Sequence, residues 1–393
     1  MLESLQARAD ARTAGRLHSV ADARRAARRR LPPVVFDYVE GGADDEVTMR
    51  ANESAFAGRT FRPRMAAGRL EPDLSVEVLG RRVDLPVVLA PCGLVRLLHP
   101  DGAVGTARAA AGRGTVSVLS TVAGSPLPEV AAGAGVPLWF QLYAAGGRSQ
   151  AERLCTMASG AGVEVLMVTV DTPALGNRER DVRHGVAPPL RVDAHNAVQL
   201  GTDVLRRPLW AARVAATGIR LSRRGAGEEE DEPEMLSRAG SPFSWEDVAH
   251  LRTVWAGSLV VKGILTAGDA RRAADAGADA VVVSNHGGRQ LDGAPPTLAV
   301  LPEVVAAVGG QVEVLMDGGV RRGAHVVTAL ALGARAVLVG RPYLYGLAAA
   351  GQRGVERVLD ILAEEMTRTM LLLGCPSVAD LDPSWLDGGG IVG

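Results

Sequence analysis

Asp279-Ala280-Val281-Val282-Val283-Ser284-Asn285-His286-Gly287-Gly288-Arg289-Gln290-Leu291-Asp292 sets an apolar, valine-rich run directly before a polar, glycine-containing loop. A run of that length and composition predicts a strand buried on both faces. The loop then lies at the strand's C-terminal end and carries an imidazole and a guanidinium close together. An imidazole takes up a proton near neutral pH, and a guanidinium grips a planar carboxylate through two parallel hydrogen bonds. His286 and Arg289 together therefore suit an acid whose reacting carbon neighbours its carboxylate.

The same strand-like composition recurs along the chain. Apolar, β-rich runs occupy Leu85–Ala90, Thr115–Leu119, Leu138–Leu142, Val163–Val170, Ser258–Lys262, Ala278–Ser284, Val312–Met316 and Ala336–Gly340. Between them lie Ala-rich stretches of helical composition, such as Gly102–Gly112, Ala267–Ala276 and Gly323–Leu332. Eight such units predict an α/β fold, a closed (β/α)8 TIM barrel with its active site at the strands' C-terminal ends. Those ends offer Pro91-Cys92-Gly93, Ser120, Gln141 and Tyr143, Thr169 and Asp171, Lys262, His286 and Arg289, Asp317-Gly318-Gly319, and Gly340-Arg341. Polar and ionisable groups thus gather where a barrel enzyme needs them.

Residues 1–80 precede the barrel and are expected to form an N-terminal helical cap, with Phe36–Ala43 ending one of its helices. The barrel is placed at 81–375 and a C-terminal tail at 376–393. The span 186–240, after the fourth strand, is too long for an ordinary βα loop and predicts an inserted lid. It holds a basic, partly apolar segment (205–224) and an acidic run, Glu228–Glu232. A solvated lid is favoured there over an amphipathic segment touching a membrane surface or a neighbouring subunit.

The 393 residues carry a formal net charge of -1, so no global field draws the chain to nucleic acid. Hydrophobic residues make up 47% and aromatic ones 4%, which leaves Ala, Val and Leu to fill the core. Of 43 Lys and Arg residues, Lys262 alone is lysine, which points to a task for a compact ammonium. Cys92, Cys155 and Cys375 show neither metal-ligand spacing nor a paired framework, which fits a reducing cytoplasm and a site without metal. No stretch is apolar over the length of a membrane span. Arg24, Arg25, Arg28, Arg29 and Arg30 read as the wet face of a helix.

Two phosphate signals lie late in the chain. Asp317-Gly318-Gly319-Val320-Arg321-Arg322-Gly323 follows the seventh strand and Gly340-Arg341-Pro342 the eighth. Barrels bind phosphate with these two loops, through glycine N–H groups and a helix N-terminus. Arg321 or Arg341 would complete the charge. No convincing Gly-x-Gly-x-x-Gly with a following acidic residue marks a dinucleotide. A phosphate-bearing cofactor near His286 and Lys262 suggests FMN, with the ammonium stabilising negative charge that develops on reduction.

Ser284–Asp292, Phe140–Tyr143, Thr169–Pro173, Val261–Gly263 and Asp317–Gly323 carry a resemblance to the FMN-dependent 2-hydroxy acid oxidases and dehydrogenases. It runs from about Leu31 to Cys375. The resemblance implies FMN as cofactor, a 2-hydroxy acid oxidised to a 2-oxo acid, O2 or another electron acceptor, and a homotetramer. It implies His286 as base and Asp171 as the group that orients it. Arg289 and Tyr38 would hold the substrate carboxylate, Arg178 would add a second positive charge, and Tyr143 would bond the substrate hydroxyl. Ser120, Gln141, Thr169 and Lys262 would contact the flavin ring, and Pro91, Cys92, Gly93 and Ser284 would also bind the cofactor. Asp317, Gly319, Arg321, Gly340 and Arg341 would hold the ribityl phosphate end. The proton that His286 removes comes from the α-carbon or from the hydroxyl; both routes stay open.

Three positions depart from common members. Gly93 stands where many have Ala, Val122 where glycolate-oxidising members carry an aromatic, and Cys92 where Thr is frequent. The first two widen the pocket, so an aryl or bulky 2-hydroxy acid such as a mandelate is expected. The rival readings are FMN-dependent oxidation of a biosynthetic intermediate derived from a modified peptide or amino acid, a non-redox FMN barrel isomerase, and a non-catalytic scaffold. The carboxylate site of His286, Arg289 and Arg178 argues against the isomerase.

Overall fold

β-Branched side chains stiffen extended backbone, and here they build eight short parallel strands. They are β3 (Val87–Leu89), β4 (Val118–Ser120), β5 (Trp139–Leu142), β6 (Val165–Thr169), β7 (Ser258–Ile264), β8 (Ala280–Val283), β9 (Glu313–Met316) and β10 (Ala336–Val339). They pair in the order β3-β10-β9-β8-β7-β6-β5-β4. A parallel bridge between Leu89 and Ser117 joins β3 to the segment before β4 and closes the barrel. This computed structural model describes residues 2–68, 71–143, 146–185, 201–202, 205–216 and 243–387.

Strand side chains alternate, so each strand feeds two cores. Val88, Val118, Trp139, Val165, Met167, Val260, Ala280, Val282, Leu315, Ala336 and Leu338 point inward and fill the barrel as one apolar cluster. Leu89, Leu119, Phe140, Leu142, Leu166, Val168, Val261, Val281, Val283, Met316, Val337 and Val339 point outward under the helices. Both rows are buried, which is why the strands read as unbroken apolar runs.

An antiparallel hairpin, β1 (Val76–Val78) and β2 (Arg81–Val83), plugs the barrel's N-terminal mouth. Val78 and Val83 join the inner core, and the Leu79 amide donates to both carboxylate oxygens of Glu313 at 3.1 Å. The expected all-helical segment 1–80 therefore ends in a strand pair that straddles residue 80.

Four helices come before the hairpin: α1 (Leu2–Ala14), α2 (Val20–Arg30), α3 (Pro33–Glu40) and α4 (Val47–Ser54). The outer helices follow as α5 (Gly102–Ala111), α6 (Leu127–Ala134), α7 (Gly147–Gly160), α8 (Glu179–Arg183), α9 (Pro208–Ala216), α10 (Trp245–Val254), α11 (Ala267–Asp275), α12 (Thr297–Val308), α13 (Gly323–Ala331) and α14 (Arg341–Leu373). α14 is interrupted by non-helical backbone at Ala350 and Gly351. The Ser19 hydroxyl caps α2 by accepting from the Asp22 amide. α2 buries Val20, Ala23, Ala26 and Ala27 and leaves Arg24, Arg25, Arg28 and Arg29 exposed, as an amphipathic surface helix should. α3 and α4 lie across the barrel's C-terminal mouth, where the Ala43 amide donates to Gly288 O at 2.8 Å.

Of the insertion 186–240, residues 201–202 and 205–216 are described; 217–224 and the acidic run lie outside the described residues. Trp210 of α9 donates its indole N–H to Leu97 O at 2.7 Å, and Arg213 reaches Asp10 of α1 at 3.8 Å. This part of the basic segment is thus docked on the body of the protein, with Leu205 and Leu209 exposed.

Candidate active site

The inward rows of the barrel turn polar at their C-terminal ends. Register places Ser120 two residues past Val118, Gln141 past Trp139, Thr169 past Met167, Lys262 past Val260, Ser284 past Val282 and Asp317 past Leu315, all on one ring of adjacent strands. Chemistry-bearing groups are therefore carried on rigid elements. Above them opens a cleft of about 130 Å³. It is lined by Tyr38, Pro91, Cys92, Gly93, Val122, Tyr143, Thr169, Arg178, Lys262, His286, Arg289, Asp317, Gly319, Arg321, Gly340 and Arg341. Ser120, Gln141, Asp171 and Ser284 stand behind this lining.

His286 Nδ1 lies 3.0 Å from Asp171 Oδ1, and its Nε2 lies 3.4 Å from the Tyr143 hydroxyl. The residue adopts left-handed backbone, φ 57°, which turns the ring into the cleft. Burial and the nearby Lys262 and Arg178 charges lower its pKa, and Asp171 opposes them without winning. The imidazole is therefore neutral at physiological pH, with Nε2 free to take a proton. Burial pushes the Asp171 carboxyl up, but its coupling to His286, through the Nδ1 hydrogen bond, and the Lys262 ammonium outweigh it and hold its pKa below the ordinary carboxylate value. Burial, helped by Asp171, raises Tyr143, so its phenol stays protonated and able to donate.

Arg289 spends both protons of Nη1 on the carbonyls of Tyr38 and Gly41, each at 2.8 Å, which leaves Nη2 and Nε for a ligand. Its guanidinium carbon sits 5.2 Å from the centroid of the Tyr38 ring. Arg178 is half-buried, with its Nε itself buried and unpartnered. Burial, then the like charge of Arg289, brings its pKa down to about 10, so it remains a cation. Two crowded cations with free donors make a site for a planar anion. Asp181, a buried residue on α8 that sequence reasoning missed, feels both of them, but burial holds its carboxyl above the usual range.

Lys262 Nζ lies 3.1 Å from Asp317 Oδ2 and donates to Ser284 Oγ at 2.8 Å. Burial alone would neutralise it, yet Asp317 and Asp171 raise its pKa and keep it charged. Around it, the buried Gln141 Nε2, Thr169 Oγ1 and Asp317 Oδ1 have no hydrogen-bond partner. Buried polar atoms without partners are costly unless a ligand completes them. Gln141 Oε1 already accepts from the Ser120 hydroxyl at 2.7 Å, which leaves Nε2 as the unpartnered donor. Gly318, Gly319 and Gly340 flank Arg321 in the same cleft, and the N-terminus of α13 follows. A Cβ on Gly319 would lie 2.0 Å from Asn52 O, so only glycine fits there. Unpartnered donors on Gln141 and Thr169 and an acceptor on Asp317 beside an ammonium, with a glycine and arginine cradle at one end, fit FMN.

Two expected contacts are spent differently. Ser284 is wholly buried, and its hydroxyl accepts from Lys262 and from the His286 amide at 3.1 Å, so it orders the site from behind. Arg341 donates to the carbonyls of Val39, Glu40, Gly41 and Gly287, stapling α3 to the His286 loop. One proton on each of Nη1 and Nη2 remains for an anion, and burial brings its pKa down to about 10.

Residues 27–388 match the family model described as FMN-dependent dehydrogenase. A 4-hydroxymandelate oxidase of Amycolatopsis orientalis is 43% identical over 92% of this chain and 95% of its own length. A pre-mycofactocin synthase of Mycobacterium tuberculosis is 41% identical over 93% of each chain. Among solved structures, the monotopic membrane protein (S)-mandelate dehydrogenase superposes with a TM-score of 0.87 at 38% identity, over 95% of this chain and 99% of that one.

Proposed function

Because the chain belongs to the FMN-dependent 2-hydroxy acid oxidase and dehydrogenase family, we propose that its substrate is an aryl or otherwise bulky 2-hydroxy acid, such as a mandelate. The observation that carries this reading is the wall at Gly93. A Cβ there would meet the Tyr38 hydroxyl at 3.0 Å and Val122 Cγ2 at 3.2 Å. Glycine thus lets the Tyr38 phenol and Val122 pack directly against the backbone at 93, where a larger side chain would push them into the cleft. The likeness to a 4-hydroxymandelate oxidase supports the same reading.

Bound FMN would supply the acceptor for the two electrons that leave the substrate and for the proton that His286 does not take. In this reading Arg178 and Arg289 hold the carboxylate, with the Tyr38 phenol beside them. Neutral His286 takes one proton at Nε2, and Asp171 stabilises the imidazolium that results. The Tyr143 hydroxyl, within reach of His286, donates to the substrate oxygen as it becomes a carbonyl. Lys262 keeps a fixed positive charge at the cofactor side of the cleft.

Anaerobic addition of racemic mandelate, lactate or glycolate to the holoenzyme tests this. Mandelate should bleach the visible flavin bands fastest, and the rate of recovery in air then separates an oxidase from a dehydrogenase. Faster bleaching by glycolate or lactate overturns the substrate assignment. A second reading, oxidation of a biosynthetic intermediate, draws on the comparable identity to a pre-mycofactocin synthase; a flavin that no simple 2-hydroxy acid bleaches would favour it.

A further inference from the structure

We propose that Asn52, on α4 and far from His286 in the chain, is a positioning residue for the catalytic base. It acts through Asn285, the residue before His286. The two side-chain amides form a closed, reciprocal pair: Asn52 Nδ2 donates to Asn285 Oδ1 at 2.8 Å, and Asn285 Nδ2 donates to Asn52 Oδ1 at 2.9 Å. Both residues are buried, so neither amide can replace its partner with water.

Each amide has a second task. Asn285 Oδ1 also accepts from the Gly288 amide at 3.2 Å, which closes the turn that carries His286. Asn52 Oδ1 also accepts from the Thr297 amide at 3.2 Å. His286 itself sits in left-handed backbone, which a histidine adopts only when its surroundings over-determine it. Fixing the Asn285 amide fixes the turn, and the turn fixes the ring against Asp171.

α4 is docked on the same loop at two further points. Asp292 accepts from the amides of Val47 and Thr48 at 3.1 and 2.8 Å and so caps α4 from a distant part of the chain. A Cβ on Gly288 would lie 2.5 Å from Met49 N, so the loop and the helix touch backbone to backbone. Asn52 also adjoins the neighbouring loop after β9, since a Cβ on Gly318 would lie 3.3 Å from its Cγ. α4 therefore holds the base loop against the loop of the glycine cradle.

This inference rests on His286 being the base of a 2-hydroxy acid oxidation. The test compares wild-type holoenzyme with Asn52→Leu and Asn52→Asp. Asn52→Leu should lower the rate of anaerobic flavin reduction by about 10²-fold, as a small misplacement of a catalytic group does. Its Kd for a 2-oxo acid, read from the flavin absorbance, should stay within about 3-fold, because Arg289 is anchored independently on Tyr38 and Gly41. In Asn52→Asp the protonated carboxyl can donate to Asn285 Oδ1 as the amide does, whereas the carboxylate sets oxygen against oxygen. Its rate should therefore approach wild type at low pH and fall as pH rises through the new carboxyl's pKa, a descending limb that wild type lacks. A purely structural role gives equal losses in both variants with no new limb, and that result overturns the proposal, as does an unaffected Asn52→Leu. Should Asn52→Leu fail to fold, the Asn52→Asp profile decides alone, its descending limb supporting the proposal and its absence overturning it. A wild-type flavin that no 2-hydroxy acid reduces overturns the functional reading and this inference with it.

Discussion

His286 Nδ1 stands 3.0 Å from Asp171 Oδ1, yet the imidazole's pKa lies below its ordinary value. Burial and two nearby cations outweigh the carboxylate. The free enzyme should therefore gain activity as pH rises through a midpoint below 6.5 and hold it near neutrality. Asp171→Asn removes the one group that favours the imidazolium, so that midpoint moves further down. kcat should fall about 10⁴-fold, as when a triad base loses its orienting carboxylate. A pH profile of kcat/KM for both enzymes checks this, and an acid limb that moves up in the variant contradicts it.

Lys262 lies between Asp317 and Ser284 with almost no exposure. Lys262→Met leaves Asp317 buried without its cation, at a cost of about 3 kcal/mol. The melting temperature should fall and FMN should bind at least about tenfold more weakly, because the compensating charge is gone. Lys262→Arg should not restore binding, since a planar guanidinium does not reproduce the compact ammonium held between Asp317 and Ser284. Thermal melts with a fluorescence titration of FMN decide it; wild-type affinity in the methionine variant would remove Lys262 from the cofactor site.

Arg178 stays charged only because an arginine starts from so high a pKa. A lysine placed there meets the same burial and the same Arg289, so its pKa is driven toward neutrality. Arg178→Lys should thus show a KM that climbs with pH across the neutral range, as the ammonium loses its proton and the substrate carboxylate loses a charge to bind. Wild type should show no such climb. Initial-rate measurements at several pH values test the point, and a flat KM in the variant would place Arg178 outside carboxylate binding.

The barrel was legible because its strands are buried on both faces, so all eight announce themselves as apolar runs, with ends displaced by a few residues. His286, Arg289 and Lys262 were legible because each is chemically out of place where it stands: a base and a cation on one loop, a sole lysine among arginines. The hairpin β1–β2 was not, although Val76-Glu77-Val78 and Arg81-Arg82-Val83 alternate as half-buried strands do. Its turn is Leu79-Gly80, with φ 50° and 74°, and leucine is not a residue that advertises left-handed backbone. Asn52 and Asp292 were missed for a different reason. Their meaning lies in contacts across more than two hundred residues, and an asparagine or aspartate seen singly reads as a helix or turn residue. Arg341 was read as a phosphate ligand from its place after a glycine, and no local signal reveals that four backbone carbonyls compete for it.

Gly93 offers the sharpest test of substrate size. A methyl group added there would sit 3.0 Å from the Tyr38 hydroxyl, 3.1 Å from Val122 O and 3.2 Å from Val122 Cγ2, closer than ordinary contact on three sides. Val122 O belongs to the backbone and accepts from the Leu94 amide, so it cannot withdraw. Tyr38 is the neighbour that must yield, and it can move only into the cleft, where an aryl ring would lie. Gly93→Ala should therefore cut kcat/KM for mandelate at least about tenfold, the range that one methylene's worth of crowding produces. Lactate, with a methyl in place of the ring, should change less than about threefold, since its smaller side chain does not reach the displaced phenol. The ratio of the two kcat/KM values isolates pocket shape from any general loss of activity. A ratio that Gly93→Ala leaves unchanged means the substrate side chain lies elsewhere in the cleft, and the wall at Gly93 does not select it.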